Sequence, residues 1–177
     1  VPAARTKVNR QEKVQQILDA AECRALADGY DGMSVAAIAR ELGIAQNSVY
    51  WYFPSKDDLF VAAFRQILLR LGTRKPPRRA ADRVVWVTDQ LAQLAAPRSA
   101  LRARAVHCDA AARLQSDLEQ WIRALLLGEL EARLDPAQAE LAGQAFLAAV
   151  EGALSMNLPR SERRRVVAFV YARIAGG

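Results

Sequence analysis

The chain has 177 residues, 52% of them apolar and 25% charged, which permits a sizeable core and argues against wholesale disorder. Its net charge is +6, but the excess is lopsided: residues 1–79 hold 13 Lys+Arg against 8 Asp+Glu, and the remainder 12 against 11. A basic N-terminal part suits a polyanion, either DNA or an anionic membrane face, and a solvated basic surface is the plainer reading.

Alanine is abundant, alanine, leucine, arginine and glutamate are strong helix formers, and β-branched runs are short, so an all-α chain is expected. Cys23 and Cys108 stand far apart, which gives neither a disulfide framework nor zinc spacing; both are expected as reduced, buried thiols in a cytoplasmic protein. The charged N-terminal stretch has no apolar h-region and is not read as a signal peptide. No apolar run approaches the ~20 residues of a membrane span.

Residues 1–9 are polar and basic and read as a mobile arm carrying Arg5 and Lys7. Val14, Ile17, Leu18, Ala21 and Ala25 then mark one face of a helix over 10–28, closed by Gly29, with Tyr30 folding back as an anchor. Ser34 caps a second helix over 35–42, ended by Gly43. A third short helix, about 46–52, stops before Pro54. Ser55 and Asp58 form a capping-box-like start for a fourth, about 56–71.

Residues 72–79, GTRKPPRR, break the pattern and supply a linker. Beyond it the spacing predicts helices over 82–95, 99–111, 117–133, 136–157 and 160–175. Pro97 punctuates the first gap, Ser116 and Glu119 cap the third of these helices, and Asp135-Pro136 opens the fourth. About nine helices result. The expected division is 1–55 as a DNA-binding domain, 56–79 as connecting helix and linker, and 80–177 as a ligand-binding and dimerisation domain.

Two short helices around a glycine turn are a helix-turn-helix arrangement. Residues 34–59, SVAAIARELGIAQNSVYWYFPSKDDL, resemble the N-terminal domain of the TetR (tetracycline-repressor) family. The likeness rests on the Ser34 cap, Ile38-Ala39, Leu42-Gly43-Ile44, Val49-Tyr50, Tyr52-Phe53, Ser55-Lys56 and Leu59. The preceding Ile17-Leu18-Asp19-Ala20-Ala21 and Asp28-Gly29-Tyr30-Asp31-Gly32 fit as well, so it covers about 10–65. Two positions depart. Ala25 stands where the family often has phenylalanine, and Leu26 is expected to fill that gap. Asn47 stands where the family often has glycine or proline.

Physical chemistry names the DNA contacts independently. Reading bases requires a helix presented to the major groove and groups that clamp phosphates beside it. Gln46, Asn47 and Ser48 open the third helix, and Gln and Asn can bond adenine bidentately. Trp51 shares Asn47's face and suits a thymine methyl. Tyr50 and Tyr52 carry hydroxyls for phosphate, Lys56 a cation, and Ser34 an N-cap beside backbone donors; Arg5 and Lys7 suit phosphates or the minor groove. Each has a plain alternative: packed aromatics for Tyr50 and Trp51, solvated polar residues for the rest. Val49 and Phe53 are core.

No catalytic constellation emerges. The one histidine, His107, precedes Cys108, and helix neighbours point ~100° apart. No P-loop, GxGxxG, HExxH or metal-ligand cluster occurs, so neither an enzyme, a cofactor nor a metal is expected.

Small residues alternate with large ones over 136–157, and residues 160–175 carry apolar positions. Leu141, Ala145, Ala148, Ala149 and Gly152, with Val166, Val170 and Ile174, are candidates for a four-helix homodimer interface, the monomeric core being the alternative. The resemblance implies that dimer. It also implies an effector pocket, for which Trp86, His107, Trp121, Phe146, Glu151 and Met156 are candidates, fitting a small apolar or aromatic molecule. The reading is a repressor released from a palindromic operator by such an effector. The alternatives are a DNA-binding regulator without an effector, and a helical adaptor that does not bind DNA.

Overall fold

The computed structural model describes residues 2–131, 134–156 and 158–175, with side chains from residue 10 onward except 129–131. Among these residues the fold is all-α. Nine helices follow in order: α1 Pro2–Gly32, α2 Val35–Glu41, α3 Gln46–Tyr52, α4 Lys56–Gly72, α5 Ala80–Gln93, α6 Ala95–Ala105, α7 Asp109–Glu131, α8 Pro136–Ser155 and α9 Arg160–Ala175. The chain forms two compact units. One comprises residues 1–73 with 96–115, the other 74–95 with 116–177.

In the first unit α1 packs along α4. Ile17, Ala21 and Ala25 on α1 meet a core of Met33, Ile38, Val49, Leu59, Phe60 and Phe64, all essentially inaccessible to water. Above this core Asp19 and the buried Glu22 accept hydrogen bonds from Gln66 and Arg70 of α4 at 2.7–2.9 Å. Gly29 adopts φ +67°, a conformation costly for other residues, and kinks the end of α1 as its sequence position foretold. Ser34 Oγ accepts from Ala37 N at 3.3 Å. Gly43, at φ +62°, turns the chain so that Ile44 N donates to Ala39 O, and α3 begins three residues later.

Several expectations are corrected. Residues 2–9 continue α1 rather than forming an arm: Pro2 suits the first helical position, and no breaker follows before Gly29. Cys23 is exposed and Cys108 half-buried, so Cys23 is no core thiol; it lies off the stripe that buries Ile17, Ala21 and Ala25. Leu26 likewise points outward and does not replace the missing phenylalanine. Pro97 lies in the first turn of α6, where its missing N–H costs little, and does not separate helices. Ser116 caps nothing. It lies inside α7, because Ala111, Leu114, Leu118 and Ile122 keep one buried face running past it.

In the second unit α9 packs against both α5 and α8. Phe146 and Tyr171 meet edge to face, 5.8 Å between centroids. Asp135 Oδ1 accepts from the Ala137 and Gln138 amides and caps α8. Gly143 allows α7 to approach: a Cβ there would lie 3.1 Å from Leu127 Cδ1.

Candidate nucleic-acid interface

Most of the residues expected to contact DNA lie on α3. Val49 and Phe53, four residues apart, sink into the core and fix the helix's rotation. That rotation leaves Gln46 and Asn47 exposed at the helix start, Ser48 half-buried beside them, and Tyr50 and Trp51 facing outward. Trp51 is 65% exposed, far more than an indole held by packing. Tyr52 is half-buried, edge-on to Trp51 with 4.8 Å between ring centroids.

Sequence reasoning missed Arg10. Its guanidinium carbon lies 4.8 Å from the centre of the Trp51 ring, adding a cation to the outer face of α3. The sequence put Arg10 at the start of a helix, but only the packing of α1 beside α3 brings it to Trp51. Arg5 and Lys7 sit on the same N-terminal stretch of α1; their side chains lie outside the described residues.

The other flank is the first turn of α4. Ser55 Oγ accepts from Asp58 N at 3.0 Å, as its position in the sequence led one to expect. Lys56 Nζ sits 4.2 Å from the centre of the Tyr30 ring, and Arg104 Cζ lies 5.0 Å from that ring. Tyr30 also meets Phe60 edge-on at 5.4 Å. The lysine that opposes the dipole of α4 is therefore held by an aromatic face. Next to it Asp57 accepts two hydrogen bonds of 2.8 Å from Arg104 of α6. Burial pushes the Asp57 carboxyl upward, but the hydrogen bonds from Arg104 and Tyr30 and the nearby cations outweigh it, and its pKa is lowered. Burial, then the hydrogen bond to Asp57, raises that of Tyr30.

Residues 17–63 match the family model described as bacterial regulatory proteins, tetR family. Over these residues the chain carries a tetR-family domain. A curated relative, the HTH-type transcriptional repressor KstR of Rhodococcus jostii (strain RHA1), is 31% identical over 85 residues. That alignment takes in 46% of this chain but only 40% of the relative's own length. A solved tetR-family transcriptional regulator from Streptomyces coelicolor shares the fold with a TM-score of 0.77 at 24% identity, covering 93% of this chain and 80% of its own. The multidrug binding protein EbrR, complexed with proflavin, shares it with a TM-score of 0.59 at 23% identity, covering 88% and 98%. The TetR-family helix-turn-helix is thus the element that carries Gln46, Asn47 and Trp51 outward.

The residues expected to line an effector pocket differ in their settings. Phe146 is wholly interior against Tyr171, Met156 is exposed just past α8, Trp121 is partly exposed on α7, and Glu151 is half-buried on α8. His107, expected inside a helix, is exposed in the turn between α6 and α7 and belongs to the first unit. Periodicity separates buried from exposed positions but not a cavity wall from close packing. Trp86 borders a cleft of about 220 Å³ between α5 and α9. Among the described residues no cluster of His, Cys, Asp and Glu is placed to hold a metal, and no helix is long and apolar enough to cross a membrane.

The candidate dimer residues fall into two groups. Leu141, Ala145 and Ala148 are exposed and Gly152 is partly so, spaced four, three and four along α8. They lie opposite the buried Gly143, Phe146, Val150 and Ala153. A Cβ on Gly152 would meet nothing within 4 Å. Ala149, Val170 and Ile174 are half-buried within the protomer, whereas Val166 and the neighbouring Phe169 are exposed on α9. Phe169 was not singled out from the sequence.

Proposed function

We propose that this chain is a transcription regulator that binds a palindromic operator in double-stranded DNA as a homodimer, and that a small molecule releases it. The observation that carries this reading is the rotation of α3, which buries Val49 and Phe53 and turns Gln46, Asn47 and Trp51 outward. A short helix so presented suits the major groove, with Lys56, Tyr50 and Arg10 beside it for the phosphates. One such helix reads only a few base pairs, so a two-fold partner is needed to read a full site. The apolar stripe Leu141, Ala145, Ala148 and Gly152, with Val166 on α9, is the surface available for a symmetric contact.

Effector release requires a ligand that prefers the state unable to bind DNA. The complex of EbrR with proflavin supports a small aromatic molecule as the kind of ligand. A regulator with this task works in the bacterial cytoplasm and needs no catalytic step. The test is selection of bound sequences from random duplex DNA. The expected result is an inverted repeat whose half-site centres lie about 34–36 Å, or a multiple of that, apart, bound with a steep salt dependence. Equal affinity for selected and scrambled duplexes would count against the reading.

A further inference from the structure

In the second unit three arginines of α9 converge on one carboxylate of α5. Asp89 is 5% exposed. Its Oδ2 accepts from Arg160 Nε and Nη2 at 3.1 and 3.0 Å, and from Arg164 Nε at 2.8 Å and Nη2 closer still. Arg163 Nη2 stands 3.5 Å from Oδ1, which accepts no hydrogen bond although it is buried. A carboxylate oxygen offers about two lone-pair sites, so four N–H groups exceed what Oδ2 can satisfy. Burial pushes the Asp89 carboxyl upward, and the hydrogen bonds and charges of Arg164 and Arg160 overcome this, so it stays ionised. Asp89 thus acts as a fixed post that holds two guanidiniums side by side, with donors to spare.

These arginines edge the cleft of about 220 Å³ that Trp86 and Val85 also line. Arg160 and Arg164 keep 66% and 44% of their side chains in water, so their outer edges are reachable. Gln90, also on the wall, is occupied by Arg74 at 2.7 Å. Asp82 is exposed at the rim, where water screens it. Arg160 and Arg164 lie on the side of α9 that bears the buried Val167 and Tyr171, whereas Val166 and Phe169 look the other way. A ligand here would not compete with a symmetric contact through that other face. The cleft is smaller than the roughly 300–1,000 Å³ of drug-sized sites, which suits a one- or two-ring molecule.

We propose that this cleft binds a small aryl carboxylate, its ring against Trp86 and Val85 and its carboxylate on the surplus N–H groups of Arg160 and Arg164. Paired guanidiniums recognise a planar oxyanion, and the indole supplies a flat apolar wall. The proposal rests on the regulator reading only in casting this acid as the effector; the binding site stands without it.

Calorimetry on the full chain without DNA tests the site, with 1-naphthoate as the probe and 1-naphthamide as its neutral counterpart. Naphthoate is expected to bind at least about tenfold more tightly than the amide, and Arg160→Gln to erase most of that difference. Equal affinity for acid and amide, or no binding of naphthoate at millimolar concentration, overturns the proposal. Should Arg160→Gln lower the melting temperature, Trp86→Leu is the second variant. It is expected to weaken naphthoate about fivefold or more through the lost ring contact, and an unchanged affinity overturns the site. A DNA shift with naphthoate tests the effector role separately: release of the operator is expected, and binding without release overturns that role while leaving the site.

Discussion

Arg104, near the end of α6, grips Asp57 in the first turn of α4 through two parallel hydrogen bonds of 2.8 Å. The pair is separated by 47 residues in sequence and lies within the unit that carries the recognition helix. Arg104→Ala should lower the melting temperature of that unit, because Asp57 loses both of its hydrogen bonds from the guanidinium. The sign of the pH dependence follows from the lowered pKa of Asp57. Its contribution is fully present above the unfolded carboxyl value of about 4 and is lost as pH falls through the lower folded value. Thermal melts from neutral to acid should show a shallower loss for Asp57→Asn than for the wild type. Parallel curves would mean that the pair contributes nothing to acid sensitivity.

Trp51 and Arg10 should act together on DNA. An exposed cation over an indole couples by about 0.5–1 kcal/mol. In a double-mutant cycle of operator affinity, Arg10→Ala and Trp51→Ala are expected to be non-additive by about that much. Strict additivity would separate Arg10 from the reading surface.

Base readout and phosphate clamping should divide between α3 and α4. Gln46→Ala and Asn47→Ala are each expected to relax preference at single operator positions by about 1–3 kcal/mol. Lys56→Ala should instead weaken all sequences alike and reduce the slope of log affinity against log salt by about 1. The hold of the Tyr30 ring on Lys56 makes this a direct test. An unchanged slope would assign the lysine to packing against Tyr30 alone.

Assembly should depend on the outward stripe of α8. Ala148 is exposed in the protomer, so Ala148→Glu leaves the fold intact while placing an unpaired carboxylate in any symmetric interface. Ala149 is half-buried and would confuse the two effects. A buried unpaired charge costs several kcal/mol, enough to split a modest dimer. Sedimentation and a DNA shift on the same sample should report monomers that fail to bind the operator at concentrations that saturate the wild type. A monomer with wild-type operator affinity would separate assembly from recognition.

The sequence by itself determined the helices of the helix-turn-helix. Glycines at 29 and 43, serine caps at 34 and 55, and the buried spacing of Ile17, Ala21, Ile38 and Val49 are local signals, and each helix forms where its own residues demand. Even the outward turn of Trp51 was legible, because burying Val49 and Phe53 leaves it no other direction. Tertiary structure alone decided what depends on distant residues meeting. No periodicity announces that Arg104 reaches Asp57 or that Arg160 and Arg164 converge on Asp89, and a long polar side chain reads as solvated until a partner's position is known. For the same reason burial could not be told apart among the pocket candidates: Phe146 and Met156 have apolar side chains of similar promise in the sequence, but only the packing of α8 against α9 sends one into the core and leaves the other in water.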